Sequence, residues 1–116
     1  LVFTSGKGYY DLLAEQALHP TNAIAVVRLE QFYPFASEQI EALLKKYSHA
    51  KEIVWTQEEP KNMGAWSFVQ PYFSELLTNS QHLKYAGRKA SAATATGSLK
   101  VHQAEQDALV KEALRV

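Results

Sequence analysis

Apolar residues recur along this chain with two different periods. Residues 1–4 are a short apolar, β-prone run ending at Ser5-Gly6, and the helix predicted after it places Tyr9, Leu12, Leu13 and Ala17 on one face. His19-Pro20 stops that helix, because the residue before a proline avoids the helical region. Residues 23–28 are nearly continuous in apolar character, which predicts a strand buried on both faces. Tyr33-Pro34 turns the chain. Ser37 then offers an N-cap oxygen to a helix with Ile40, Leu43, Leu44 and Tyr47 at i, i+3, i+4 and i+7. Residues 52–56 predict a third strand. After Gly64 a wide helical stripe follows (Phe68, Val69, Tyr72, Phe73, Leu76, Leu77), and Pro71 inside it is expected to kink or divide the helix. Residues 82–86 predict a weaker fourth strand, residues 87–97 an extended loop of small residues, and residues 101–114 a last helix.

Strands alternating with helices at this spacing predict an α/β fold. It has three layers, α/β/α, with a mostly parallel sheet and helices on both of its faces. The preferred strand order is 2-1-3-4. In that order the chain reverses its winding between strands 1 and 3, and a crevice opens beyond their carboxyl ends, where ligands of α/β proteins sit. The loops there are Ser5-Gly6-Lys7 and Gln57-Glu58-Glu59, so these segments should be spatial neighbours.

Composition narrows the picture. A chain of 116 residues predicts one domain spanning residues 1–116, and 47% hydrophobic with 21% charged residues is a globular balance. The formal net charge is zero, so no basic excess points to nucleic acid or an anionic membrane surface. No apolar run approaches the ~20 residues of a membrane-crossing helix. The chain opens on Leu1 inside an apolar strand, the start expected of a fragment. There is no cysteine, which removes disulfides and thiolate chemistry and fits a reducing compartment.

Candidate chemistry is sparse. Ser5-Gly6-Lys7-Gly8 ends a strand and opens a helix, where free N–H groups can hold an anion, but the spacing of a nucleotide P-loop is absent. Glu58 and Glu59 are adjacent, so in extended chain they point to opposite sides and do not share a proton. One of them is expected to cap a helix or meet Lys7 or Arg88, the other to face a neighbouring domain. Arg28 and Glu30 are placed to pair. None of His19, His49, His82 and His102 shows metal-site spacing, and His102 is expected in a packing or capping contact near the start of the last helix. Trp55, Trp66, Tyr72 and Phe73 are expected in the core.

Five blocks give this chemistry a context. Trp55-Thr56-Gln57-Glu58-Glu59-Pro60-Lys61-Asn62-Met63-Gly64-Ala65-Trp66 resembles the WxQEEPxNxGAW segment in the C-terminal domain of the 2-oxoglutarate dehydrogenase E1 family. The run from Ser5 to Leu13 is similar to the family's SGKxYYDLL, and that from Val26 to Phe35 to its VRxEQLYPF. Tyr85-Ala86-Gly87-Arg88 and Lys100-Val101-His102-Gln103 resemble two further blocks. All five stand in the family's order. Departures are Arg88-Lys89 where Arg-Pro is common, Thr94 where a proline is common, and Met63 where Gln is common; the first two predict a looser loop.

The resemblance implies a transketolase C-terminal-like domain, whose upstream antiparallel edge strand would lie before Leu1. It implies a parent enzyme that decarboxylates 2-oxoglutarate and succinylates the E2 lipoyl group in the tricarboxylic acid cycle. Thiamine diphosphate and Mg²⁺ would be bound by preceding domains. Partners would be the other E1 domains, a second E1 subunit, and the E2 and E3 components; the location would be the bacterial cytoplasm or the mitochondrial matrix. Here the domain would support a dimer and hold no catalytic residue, cofactor or metal. Ser5, Lys7, Arg28, Gln57, Glu58, Glu59, Arg88 and His102 are the candidate interface or effector surface. An alternative is a regulatory domain that binds an anionic effector, a nucleotide or acyl-CoA, through Lys7, Arg28 and Arg88.

Overall fold

The computed structural model describes residues 1–20, 24–30, 32, 34–90 and 99–115. Among the described residues four strands and four helices alternate: β1 (Val2–Thr4), α1 (Gly8–Ala17), β2 (Val26–Arg28), α2 (Ser37–Lys46), β3 (Glu52–Gln57), α3 (Trp66–Leu76), β4 (His82–Gly87) and α4 (Leu99–Leu114). They form one parallel sheet in the order β2-β1-β3-β4, the order expected from the sequence. Val2 stands beside Val26 on one side and Val54 on the other, and Trp55 beside Tyr85.

Successive strand residues point to opposite faces, so each central strand feeds two cores. Val2, Val54 and Ala86 pack with Leu12 of α1 and with Leu109, Val110, Ala113 and Leu114 of α4. Phe3, Ile53 and Trp55 pack on the other face with Ile40 and Leu44 of α2 and Val69 and Phe73 of α3. The unbroken apolar run Ile53-Val54-Trp55 is thus explained: β3 lies inside the sheet and is buried on both sides.

Several local expectations are corrected. β2 is an edge strand: Val26 and Val27 are only half-buried and Arg28 is exposed, because nothing pairs beyond it among the described residues. Ala36, not Ser37, is the N-cap of α2, with no side-chain cap; the Ile40 N–H donates to the Ala36 carbonyl at 3.0 Å, so the helix starts one residue earlier and Ser37 is already its first residue. α3 runs undivided through Pro71, which lies on its exposed side while Val69 and Phe73 hold the core side. On α1 only Gly8 and Leu12 are buried, and Leu13 and Ala17 face outward. α4 begins at Leu99, two residues earlier than the apolar pattern predicts. Most of the small-residue loop, with Thr94, lies outside the described residues, as do Ala23 and Tyr33.

The end of β4 is tight. A methyl group added to Gly87 would stand 2.6 Å from the Tyr85 hydroxyl and 3.1 Å from the Gln57 carbonyl. The ring cannot swing away freely, since its hydroxyl donates to the Arg88 carbonyl at 2.7 Å. Gly87→Ala should therefore destabilise the chain by about 1–3 kcal/mol, the usual cost of overpacking. An unchanged urea midpoint would contradict this close approach.

Candidate functional site

The crevice beyond β1 and β3 forms because the two strands end together and their chains leave in opposite directions. The Thr4 hydroxyl donates to the Thr56 carbonyl at 2.9 Å, locking the two strand ends. Gly6 then takes a left-handed conformation, φ 67°, which a side chain would strain, and turns β1 into α1. Ser5, Gly6, Lys7, Glu58, Glu59 and His102 line a cavity of about 260 Å³ at this point. The β1–α1 and β3–α3 loops are therefore neighbours, and the first turn of α4 closes the third side.

Gln57 builds the loop after β3 from within. Its side-chain oxygen accepts from Trp55 Nε1 (3.0 Å) and from the Trp66 backbone N–H (2.9 Å). Its amide nitrogen is shared among the carbonyls of Glu59 (3.2 Å), Pro60 (2.9 Å) and Met63 (2.7 Å). One buried side chain thus ties the strand, the turn and the start of α3 together. Gly64 at φ 66° completes the turn, and the Glu59 side chain lies so close to it that an added methyl would stand 3.1 Å away.

Arg88 performs the corresponding role for α4. It is 9% exposed; Nη1 donates to the Glu58 carbonyl, and Nη2 donates to the His102 carbonyl (3.3 Å) and to Gln106 Oε1 (3.1 Å). Gln106 Nε2 in turn donates to Asp11 of α1 (2.8 Å) and to the Glu58 carboxylate (3.3 Å). Beside this network, burial pushes the Tyr85 phenol up to about 12, against the opposing pull of the Gln57 amide and the Arg88 charge. Because the folded pKa lies above the unfolded value of about 10, the stabilisation from neutral Tyr85 is complete below pH 10 and is lost as pH rises toward 12. Ultraviolet titration should show a late tyrosine step that Tyr85→Phe removes.

The candidate residues thus separate into groups. Ser5, Lys7, Glu58, Glu59 and His102 come together around the cavity. Gln57 and Arg88, expected on the surface, are inside and hold the loops; Arg88 meets the main-chain carbonyl of Glu58, not a carboxylate. Arg28 lies elsewhere. Its guanidinium pairs with Glu30 (3.1 Å), donates to the Tyr10 hydroxyl (3.1 Å) and lies over the Tyr10 ring at 5.3 Å. Of the three cations named for an anionic effector, only Lys7 lines the cavity, and it faces Glu58 and Glu59. The effector alternative therefore gains no support from this geometry. Glu58 and Glu59 diverge, one toward Gln106 and the other toward Gly64.

This arrangement uses residues of four of the five sequence blocks, all but Val26 to Phe35, to hold the molecule's own loops. The chain matches the family described as 2-oxoglutarate dehydrogenase C-terminal over residues 1–114. The chain belongs to that family. It is 50% identical over 113 residues to the 2-oxoglutarate dehydrogenase E1 component of Cupriavidus necator, covering 97% of this chain and 12% of that protein. Against the E1 component of Rickettsia typhi identity is 45% over 117 residues, and against that of Haemophilus influenzae 43% over 114, each covering 98% of this chain and 12% of the relative. The chain thus spans about 12% of the length of the relatives it matches.

In this member of the 2-oxoglutarate dehydrogenase C-terminal family, sequence reasoning missed Asp11 and Gln106. Asp11 stands inside the Ser5-to-Leu13 block, and Gln106 three residues beyond the Lys100-to-Gln103 block. A signal existed for Gln106: an amide at a position of α4 whose neighbours Leu109 and Val110 face the core, where a buried polar group requires partners.

Proposed function

We propose that residues 1–116 are one transketolase C-terminal-like domain of a 2-oxoglutarate dehydrogenase E1 component. The parent polypeptide decarboxylates 2-oxoglutarate and transfers the succinyl group to the lipoyl arm of E2, in the tricarboxylic acid cycle. The observation that carries this reading is the match to the family over residues 1–114, with E1 relatives 43–50% identical along nearly the whole chain. Partners on this reading are the rest of the E1 chain, a second E1 subunit, and the E2 and E3 components. The relatives named above are bacterial, so a cytoplasmic location is proposed, and no helix of the described residues is long and apolar enough to cross a membrane.

The domain's own part is support. The crevice does not fit thiamine diphosphate: two carboxylates, Glu58 and Glu59, stand beside one lysine, and such a set repels a diphosphate. The cofactor and its Mg²⁺ are accordingly assigned to the part of the polypeptide outside these residues. What the described residues contribute is an α/β block whose crest loops are cross-braced by Gln57, Arg88 and Gln106.

The test is the rate of 2-oxoglutarate decarboxylation by the full-length polypeptide with thiamine diphosphate and Mg²⁺. Glu58→Gln and Lys7→Met, both on the crevice wall, should leave kcat within about threefold. A general acid or base lost from the reaction centre costs about 10²–10⁴-fold, and a fall of that size would move the reaction centre here.

A further inference from the structure

The outward face of α1 carries an apolar stripe that continues onto its C-cap Leu18; at its start the Arg28 guanidinium lies over Tyr10. Tyr10, Leu13, Ala14, Ala17 and Leu18 fall at i, i+3, i+4, i+7 and i+8, and all five are exposed, Tyr10 at 58% and Leu18 at 72%. This is the spacing by which one helix packs on another. It is a second stripe, separate from the Gly8–Leu12 face that meets the sheet. Tyr10, Ala14 and Leu18 also form one wall of an open groove of about 510 Å³, whose other wall is α4. The small side chains of Ala14 and, at the helix end, Ala17 let another backbone come close. The groove's charged lining is mostly acidic, with Asp11, Glu15, Glu58 and Asp107 against Lys7.

A continuous apolar stripe rimmed by polar groups marks a covered surface in the working protein. Its size selects what covers it. A ten-residue helix is about 15 Å long. One face of it falls far short of the roughly 800 Å² that each partner of a stable free complex buries. A segment tethered to the same chain needs no such area, because the tether holds it at high effective concentration. The matched region is 12% of the length of each relative named above, so on the E1 reading most of the polypeptide lies outside residues 1–116.

We infer that the outer face of α1, with the α1–α4 groove, seats a helix from the same polypeptide outside residues 1–116. The geometry and charge call for an apolar strip edged by lysine or arginine. This inference rests on the E1 reading, since it requires the longer chain.

The test uses the full-length enzyme, assembled from mixed light and ¹⁵N-labelled subunits. The photo-cross-linker p-benzoyl-phenylalanine replaces Leu18 in one preparation and Tyr10 in another. The expected product joins that position to a peptide of the same subunit outside residues 1–116. A light–heavy product would assign the face to a second copy and overturn the inference, and so would the absence of any product at both positions. As an independent measurement, Leu18→Cys should react with a maleimide about tenfold more slowly than Glu41→Cys on the polar face of α2, the protection a packed contact confers. Equal rates would overturn it. Decarboxylation of 2-oxoglutarate by the same preparations separates the two readings: an active enzyme with an open α1 face sinks this inference alone, and an inactive one with a protected face sinks the E1 reading alone.

Discussion

Replacing Gln57 by leucine should destabilise the chain by about 3–5 kcal/mol, several times the cost of an ordinary surface change. The shape is nearly kept, so the loss isolates the amide. Without it, Trp55 Nε1 in a fully buried ring has no acceptor, the Trp66 N–H at the start of α3 has none, and three carbonyls of the following turn lose their donor. Each buried polar group left unpaired costs about 1–3 kcal/mol, and a domain has only about 5–15 kcal/mol in total. Gln57→Glu is the sharper comparison. A carboxylate still accepts from both N–H groups but faces three carbonyls with no hydrogen to give, so at neutral pH it should also be severely destabilised. Acidification should restore part of the loss, because the protonated acid regains one donor. Glu59→Gln next door, exposed, should move the urea midpoint little. A Gln57→Leu variant as stable as the parent would mean that the turn does not depend on this side chain.

The second large effect concerns Arg88. Arg88→Met should cost about 2–4 kcal/mol, and Arg88→Lys nearly as much, because one ammonium cannot reproduce the planar fork that reaches Glu58, His102 and Gln106 from one position. The loss should be local before it is global. α4 is joined to the β3–α3 loop and to α1 through Arg88 and Gln106, so amide exchange along Leu99–Leu114 should accelerate more than along α2, which lies on the other face of the sheet. Uniform acceleration in both helices would show that Arg88 contributes to general stability and does not specifically moor α4.

Much of the architecture was readable in the chain. Residues 52–56 read as a third strand, and β3 is one of the two inner strands, in contact with both cores, whereas residues 23–28, expected to be buried on both faces, form the edge strand β2. The alternation of strand and helix periods set the number of elements and, through the helical crossovers it implies, the parallel sheet. The strand order then placed Ser5-Gly6-Lys7 beside Gln57-Glu58-Glu59, and these segments line one cavity. Burial was harder to read where hydrophobic contrast is weak. α1 has apolar residues nearly all round, so its pattern offers two acceptable faces, and the Leu12 side won because it meets Val2 and Val54 across the sheet. Leu13 and Ala17 of the outward stripe were therefore grouped with Leu12 on one face. Ser37 failed as a cap for a different reason: the helix starts one residue earlier, at the Ala36 carbonyl, so Ser37 is already inside its first turn.

The candidate residues divide along the same line. Sequence spacing identified the segments and their proximity, because loop positions follow from strand order. It did not identify which polar side chains turn inward. Gln57 lies at a strand end where an exposed amide would be equally compatible with the local pattern, and for Gln106 the signal was only its place on the Leu109–Val110 side of α4. Only when β3, β4, α3 and α4 converge do unpaired carbonyls and N–H groups accumulate at one point, and these two amides, with Arg88, are the groups that satisfy them.

From its residues alone this chain determined its element types, its sheet order and its family, since these depend on periodicity, on chain connectivity and on local blocks. The tertiary structure decided which face of α1 is inside, which cations are engaged and which remain at the crevice, and where an apolar surface is left open. Those are matters of contact between segments distant in sequence, and no local pattern specifies them until the sheet has brought the segments together.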